Sequence, residues 1–104
     1  TPLKYTVADR SQIPEEAAKL IEEKKEKEFQ MVYQKGEDLY LIKGYGRQMS
    51  GGYSIQVTDL SASVNAVFFE TKLIGPTEEV QGGEPPYPYI VVKTEYRDVP
   101  VQFR

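Results

Sequence analysis

The stretch Phe29-Gln30-Met31-Val32-Tyr33-Gln34-Lys35-Gly36-Glu37-Asp38-Leu39-Tyr40-Leu41-Ile42-Lys43 decides the fold class of this chain. Phe29, Met31 and Tyr33 alternate with Gln30, Val32 and Gln34, the period of two expected of a strand buried on one face. Lys35-Gly36-Glu37-Asp38 then supplies the chemistry of a tight turn, and Leu39–Lys43 follows as a run that is apolar on both faces. Such a run belongs in the middle of a sheet, covered from both sides. The two segments predict a β-hairpin with its second strand central.

N-terminal to the hairpin, Leu3 to Val7 reads as a short first strand and Asp9, Arg10 and Ser11 as a polar turn. A helix over residues 14–27 follows from several features. Pro14 suits the first helical position, Glu15 and Glu16 suit the positive end of the helix dipole, and Lys24, Lys25 and Lys27 suit its negative end. Ile13, Ala17, Leu20 and Ile21 make a narrow apolar stripe, so one side of the helix is expected to pack on a sheet. The charge run from Lys24 to Glu28 is explained by a solvated helix face and carries no functional weight.

On the C-terminal side, Tyr53, Ile55 and Val57 alternate with Ser54, Gln56 and Thr58, and Val64–Ile74 continues as a strand with Val67, Phe69 and Leu73 on one face. Gly75–Pro86 is too polar and too broken by proline for regular structure. Tyr89–Glu95 and the alternating Val99, Val101 and Phe103 supply two further strands. Short turns between successive strands favour antiparallel pairing. The expected architecture is α+β: one N-terminal helix packed on an antiparallel sheet of six to seven strands, curled into a sandwich or partial barrel. At 104 residues the chain reads as a single domain over 1–104, burying roughly two-thirds of its unfolded surface in one core.

Composition excludes several functions. The chain has no histidine and no cysteine. A Ser-His-Asp or Cys-His centre needs an imidazole to take the nucleophile's proton, and structural zinc takes Cys or His ligands, so both are closed. No EF-hand spacing appears. With 16 acidic residues in 104, some carboxylates fall close by chance, so a glycosidase-type pair is not singled out. No catalytic residue, metal site or cofactor is expected. The net charge of -3 and the 13 scattered basic residues argue against nucleic acid, whose phosphates call for clustered Lys and Arg. No apolar run approaches the ~20 residues of a membrane span, and no signal-peptide core is visible. The chain opens on Thr1, which suggests a mature product or an excised piece, so membrane attachment is expected only through an anchor outside this sequence.

Two segments look selected for shape. In Gly44-Tyr45-Gly46-Arg47-Gln48-Met49-Ser50-Gly51-Gly52-Tyr53, the glycines permit close backbone approach and Arg47 offers a counter-charge for an anion. No Walker-type lysine follows and no helix begins there. A plain strand connection explains these glycines better than a phosphate site does, and an exposed Met49 fits a protein contact better than an anion site. In Gly82-Gly83-Glu84-Pro85-Pro86-Tyr87-Pro88-Tyr89, the prolines stiffen the chain while Tyr87 and Tyr89 present flat amphipathic rings, a combination suited to binding at low entropic cost. The alternative is that the prolines end a loop and the tyrosines pack on the core. The candidate partner-binding residues are therefore Arg47, Met49, Ser50, Gly51, Gly52, Tyr53, Pro85, Pro86, Tyr87, Pro88 and Tyr89, and the expected partner is another protein.

Ser50-Gly51-Gly52-Tyr53-Ser54-Ile55, followed later by Tyr87-Pro88-Tyr89-Ile90-Val91-Val92, resembles the C-terminal domain of the protease complex subunit PrcB family. In that family a Thr-Gly-Gly-Tyr-type turn opens one strand and a Tyr-Pro-Tyr-type segment opens a later one; Ser50 stands here in place of the threonine. The resemblance runs from Tyr40 to Phe103 and leaves the N-terminal helix outside. It implies a bacterial envelope or secreted protein, often lipid-anchored through a leader, that stabilises a surface protease complex and brings no catalytic residues. A weaker similarity, resting on the Gly-Gly-Tyr turn, is to chagasin-like inhibitors of cysteine proteases. Their Asn-Pro-Thr-Thr-Gly and Arg-Pro-Trp signatures are missing here, and tryptophan is absent altogether.

Overall fold

The computed structural model describes residues 1–76 and 87–104. Seven strands and one α-helix follow in the order β1 (Tyr5–Val7), α1 (Glu15–Lys24), β2 (Glu28–Lys35), β3 (Asp38–Tyr45), β4 (Ser54–Ala62), β5 (Val67–Ile74), β6 (Tyr89–Glu95) and β7 (Val101–Phe103), with a 3₁₀ turn at Arg10–Gln12 before the helix.

Pro14 precedes the helix instead of opening it. Its backbone is extended at φ -56° and ψ 142°, and its carbonyl accepts the first helical bond from Ala18 N–H at 2.9 Å. Glu15 and Glu16 occupy the first turn and Lys24 the last, matching the helix dipole. The helix ends at Lys24, one turn short of the expected boundary. Ala17 and Ile21, four residues apart on one face, are buried against Tyr40, Ile42 and Val91 of the sheet. Tyr33 adds a tie from β2, its hydroxyl donating to Glu16 at 3.4 Å.

The strands do not form one curled antiparallel sheet. They divide into a four-stranded sheet ordered β1-β6-β3-β2 and a three-stranded sheet ordered β4-β5-β7, neither of which closes on itself. Within the second sheet, β5 and β7 run parallel, pairing Val67 with Val101 and Phe69 with Phe103. The expectation assumed that each strand pairs with the next. That holds for β2–β3 and β4–β5 but fails for β1, which pairs with β6, and wherever the chain changes sheets, after β3, before β6 and between β6 and β7. The reason is burial. β3 and β6 are the two strands apolar on both faces, so they lie side by side in the sheet that is covered twice.

β3 carries this arrangement. Tyr40 and Ile42 face the helix within one apolar cluster, while Leu39 and Leu41 face the second sheet within another, together with Leu60, Val67, Phe69, Ile90 and Val92. The layers are thus helix, four-stranded sheet and three-stranded sheet. Gly44 lies on the helix side of β3 opposite Phe29, whose ring passes 2.1 Å from where a Cβ would stand. Only glycine leaves room for that ring.

A register shift between Val57 and Asp59 interrupts the β4–β5 ladder. It reconciles two patterns in one strand: Ile55 and Val57 face inward before the bulge, Leu60 and Ala62 after it. An extra residue moves the inward positions from odd to even numbers. The buried polar side chains are partnered. Lys43 donates to Glu28 at 2.7 Å, and Thr94 donates to the Lys4 carbonyl at 2.8 Å.

Phe69 is 1% exposed and meets Phe103 edge-on with ring centroids 5.8 Å apart, so it ties the parallel β5–β7 pair to the shared core. Truncating it to alanine is expected to cost about 3–5 kcal/mol in urea unfolding, against less than about 0.5 kcal/mol for the exposed Val64→Ala.

Candidate functional site

The start of β4 and the start of β6 meet at a surface cleft of about 420 Å³, a size that suits a small ligand or a few residues of peptide. Tyr53, Ser54 and Ile55 line one side and Tyr87 to Val91 another. The remaining wall is the chain that leaves β1, from Val7 through Arg10, with Ile13. This arrangement follows from strand lengths. β1 pairs with β6 only from Tyr5↔Thr94 to Val7↔Val92, so the first residues of β6 extend past it, and the chain turns away into the 3₁₀ turn.

Asp9 holds that turn. Its carboxylate accepts from Ser11 N–H at 2.9 Å and from the Ser11 hydroxyl at 2.6 Å, while Asp9 N–H donates to the Gln12 side chain at 2.9 Å. The Ser11 hydroxyl bond is the largest influence on the carboxyl and holds its pKa below the usual 3.8, against a smaller opposing effect of burial and with further help from backbone N–H groups. Asp9 is therefore committed to local structure, whereas the exposed Arg10 beside it makes no side-chain bond among the described residues.

The Tyr-Pro-Tyr segment is anchored through its backbone, with the Pro88 carbonyl accepting from Tyr45 N–H at 3.0 Å. Its two rings differ in role. Tyr89 packs against the helix-side core, as the structural alternative requires. Tyr87 is half-buried, stands outside both core clusters, and has Lys25 Nζ 4.9 Å from its ring centroid, a cation–π contact. Tyr53 is half-buried on the opposite side of the cleft.

The glycine-rich connection is built from two parts. Its first residues are stitched to the link between α1 and β2. Arg47 N–H donates to the Glu26 carbonyl at 3.1 Å, and Gln48 Nε2 donates to the Tyr45 carbonyl at 2.9 Å. Gly46 has φ +76°, and a Cβ there would stand 2.9 Å from Glu28 N and 3.0 Å from Lys27 C. The donation from Arg47 N–H removes one backbone donor that an anion would need. The second part projects: Arg47, Met49 and Ser50 are exposed, Met49 completely.

Of the residues singled out from the sequence, the fold brings Tyr53, Tyr87, Pro88 and Tyr89 to one cleft. Arg47, Met49 and Ser50 do not line it, nor do the half-buried Gly51 and Gly52. Pro85 and Pro86 lie outside the described residues. Sequence reasoning missed Asp9, Arg10 and Ile13, which local patterns assign to a turn and a helix start. Only the β1–β6 pairing brings them to the site.

Among the described residues no group of three or more acidic side chains is placed to hold a metal ion, and no helix is long and apolar enough to cross a membrane. The fold and site thus define a β-rich domain with an aromatic-lined cleft at the mouth of two sheets. The family model described as PrcB C-terminal matches residues 39–95, more than half of the chain, from the second residue of β3 to the end of β6, and the chain belongs to that family. The match stops short of β7, whereas the resemblance read from the residues ran on to Phe103. No curated protein matches the chain, and no solved structure does.

Two outcomes follow. Gly46→Ala is expected to destabilise the fold by about 2 kcal/mol or more, measured by urea unfolding. Asp9 is expected to titrate below 3.8 when its carboxyl is followed by NMR. A depressed folded value means its contribution is present above the unfolded pKa and lost as pH falls through the folded one, so the destabilisation caused by Asp9→Ala should disappear in acid.

Proposed function

We propose that this chain is a non-catalytic module that binds and stabilises a partner protein, of the protease-complex kind, through the cleft between Tyr53 and the Tyr87–Tyr89 segment. One observation carries the reading: Tyr53, which closes the glycine-rich segment, and Tyr87-Pro88-Tyr89, far from it in sequence, converge on the same cleft. Half-buried tyrosines supply contact area at low conformational cost and hydrogen-bonding hydroxyls at the rim. The exposed Met49, with Arg47 and Ser50, continues the surface away from the cleft and offers an adaptable apolar contact. Membership of the PrcB C-terminal family supports association with a protease complex, and the family resemblance supports a bacterial envelope or extracellular setting.

The test begins with co-purification from the native organism, which names the partner, and proceeds to its affinity for single variants. Tyr53→Ala and Tyr87→Ala are each expected to weaken binding at least tenfold, about 1.4 kcal/mol, with the melting temperature nearly unchanged. Met49→Ala is expected to weaken it less. Unchanged affinity in both tyrosine variants would reject the cleft as the interface.

A further inference from the structure

The two sheets expose four strand edges, and three of them carry devices that discourage pairing. β1 and β7 are three residues long, and Pro100 stands immediately before β7. β4 is interrupted by the bulge between Val57 and Asp59, and its far end is occupied by the N-terminal segment, with Leu3 N–H donating to the Leu60 carbonyl and Ala62 N–H to the Thr1 carbonyl. The remaining edge, β2, has none. It runs for eight residues in unbroken register with β3 and contains no proline. Its centre, Gln30 to Gln34, holds no charge. Among the described residues nothing pairs with its outer side. A long, regular, uncharged edge is a template for another strand.

We infer that β2 is the interface of a two-fold homodimer, in which the β2 strands of two copies pair antiparallel and the four-stranded sheets join into one of eight strands. The occupant is a second copy because β2 is complementary to itself. Pairing centred on Val32 sets Val32 against Val32, Gln30 against Gln34 and Met31 against Tyr33, and just beyond the strand ends it sets Lys27 against Glu37. At the centre apolar residues meet apolar ones and amides meet amides, and beyond the ends opposite charges meet, each a favourable cross-strand pair; Phe29 meets Lys35 and Glu28 meets Gly36, which brings no like charges together. Centring on Met31 instead would set Lys27 against Lys35 and Gln30 against Val32. The charges therefore select the Val32 register.

Burial fits this arrangement. On the open face of β2, Gln30, Val32 and Gln34 are all exposed, because the three-stranded sheet leaves that strand uncovered. Val32 is 43% exposed and sits on the two-fold axis, where its copy covers it. The axis stands normal to the sheet, so both helices lie on the same side. Each helix packs on residues of β2, β3 and β6, inboard of the edge. The two helices are then about 10 Å or more apart, a packing distance and not a clash. The inference uses the outer edge of β2, no residue of which lines the tyrosine cleft, and does not rest on the function proposed for it.

The absence of native cysteine makes the register directly testable, since a single introduced cysteine can pair only with another copy. Val32→Cys is expected to form a disulfide-linked dimer on mild oxidation. Gln30→Cys and Gln34→Cys are expected to cross-link with each other when mixed, and poorly when oxidised alone. Gln56→Cys, exposed in the second sheet, should stay monomeric. Sedimentation equilibrium should find the unmodified chain dimeric, with Val32→Lys raising the dissociation constant at least tenfold and leaving the melting temperature nearly unchanged when both are measured at concentrations where the chain is monomeric. A chain that stays monomeric at every accessible concentration would overturn the inference. So would a Val32→Lys variant that dimerises as well as the parent, or cross-linking at Gln56 as efficient as at Val32.

Discussion

β3 must be covered on both faces, and the rest of the architecture answers that requirement. Leu39, Tyr40, Leu41 and Ile42 are consecutive and all buried, and each such side chain gains roughly 1.5–3 kcal/mol from leaving water. A strand exposes alternate residues to opposite sides, so no single layer can shelter all four. The helix covers Tyr40 and Ile42; the second sheet covers Leu39 and Leu41. β6, with Ile90 and Val92 on one side and Val91 on the other, has the same need and lies beside β3 for the same reason.

The chain satisfies this requirement by changing sheets after β3, before β6 and again between β6 and β7. The N-terminal segment pairs first with the end of β4 through Pro2↔Ser61 and then with β6 through β1, so one short piece spans both layers. The hydrogen bond between the Tyr45 hydroxyl and Thr71 ties the end of β3 to β5. The glycine-rich connection after β3 carries the chain to the second sheet, and β6 returns it to the first. The tyrosine cleft lies where Tyr53 and the Tyr87–Tyr89 segment come together. It is a by-product of the crossovers that the sequence has lined with aromatic side chains.

Polar chemistry in the interior serves structure. Lys43 is held by Glu28, and Thr94 by a backbone carbonyl. Every buried side-chain nitrogen or oxygen among the described residues has a partner, so none is left aimed at a ligand. The tyrosine cleft is lined by aromatic, aliphatic and backbone groups together with Asp9, which is already held by Ser11 and Gln12, and the exposed Arg10.

Much of this was legible in local pattern. The hairpin around Gly36, the helix beneath Ala17 and Ile21, the central position of β3 and the family motifs at Ser50–Ile55 and Tyr87–Val92 all depend on residues close in sequence. Even the β4 bulge is written in the shift from Ile55 and Val57 to Leu60 and Ala62, although the strand was expected to end earlier. The partition into two sheets was not legible, nor was the parallel β5–β7 pair or the place of Asp9, Arg10 and Ile13 beside Tyr87. Those depend on which apolar faces find cover from segments dozens of residues away, and periodicity records that a face is apolar without recording what covers it. The sequence by itself determined the elements, their buried faces and the exclusion of histidine and cysteine chemistry. The tertiary structure alone decided which strands are neighbours, because burying both faces of β3 and β6 outweighed pairing each strand with the next.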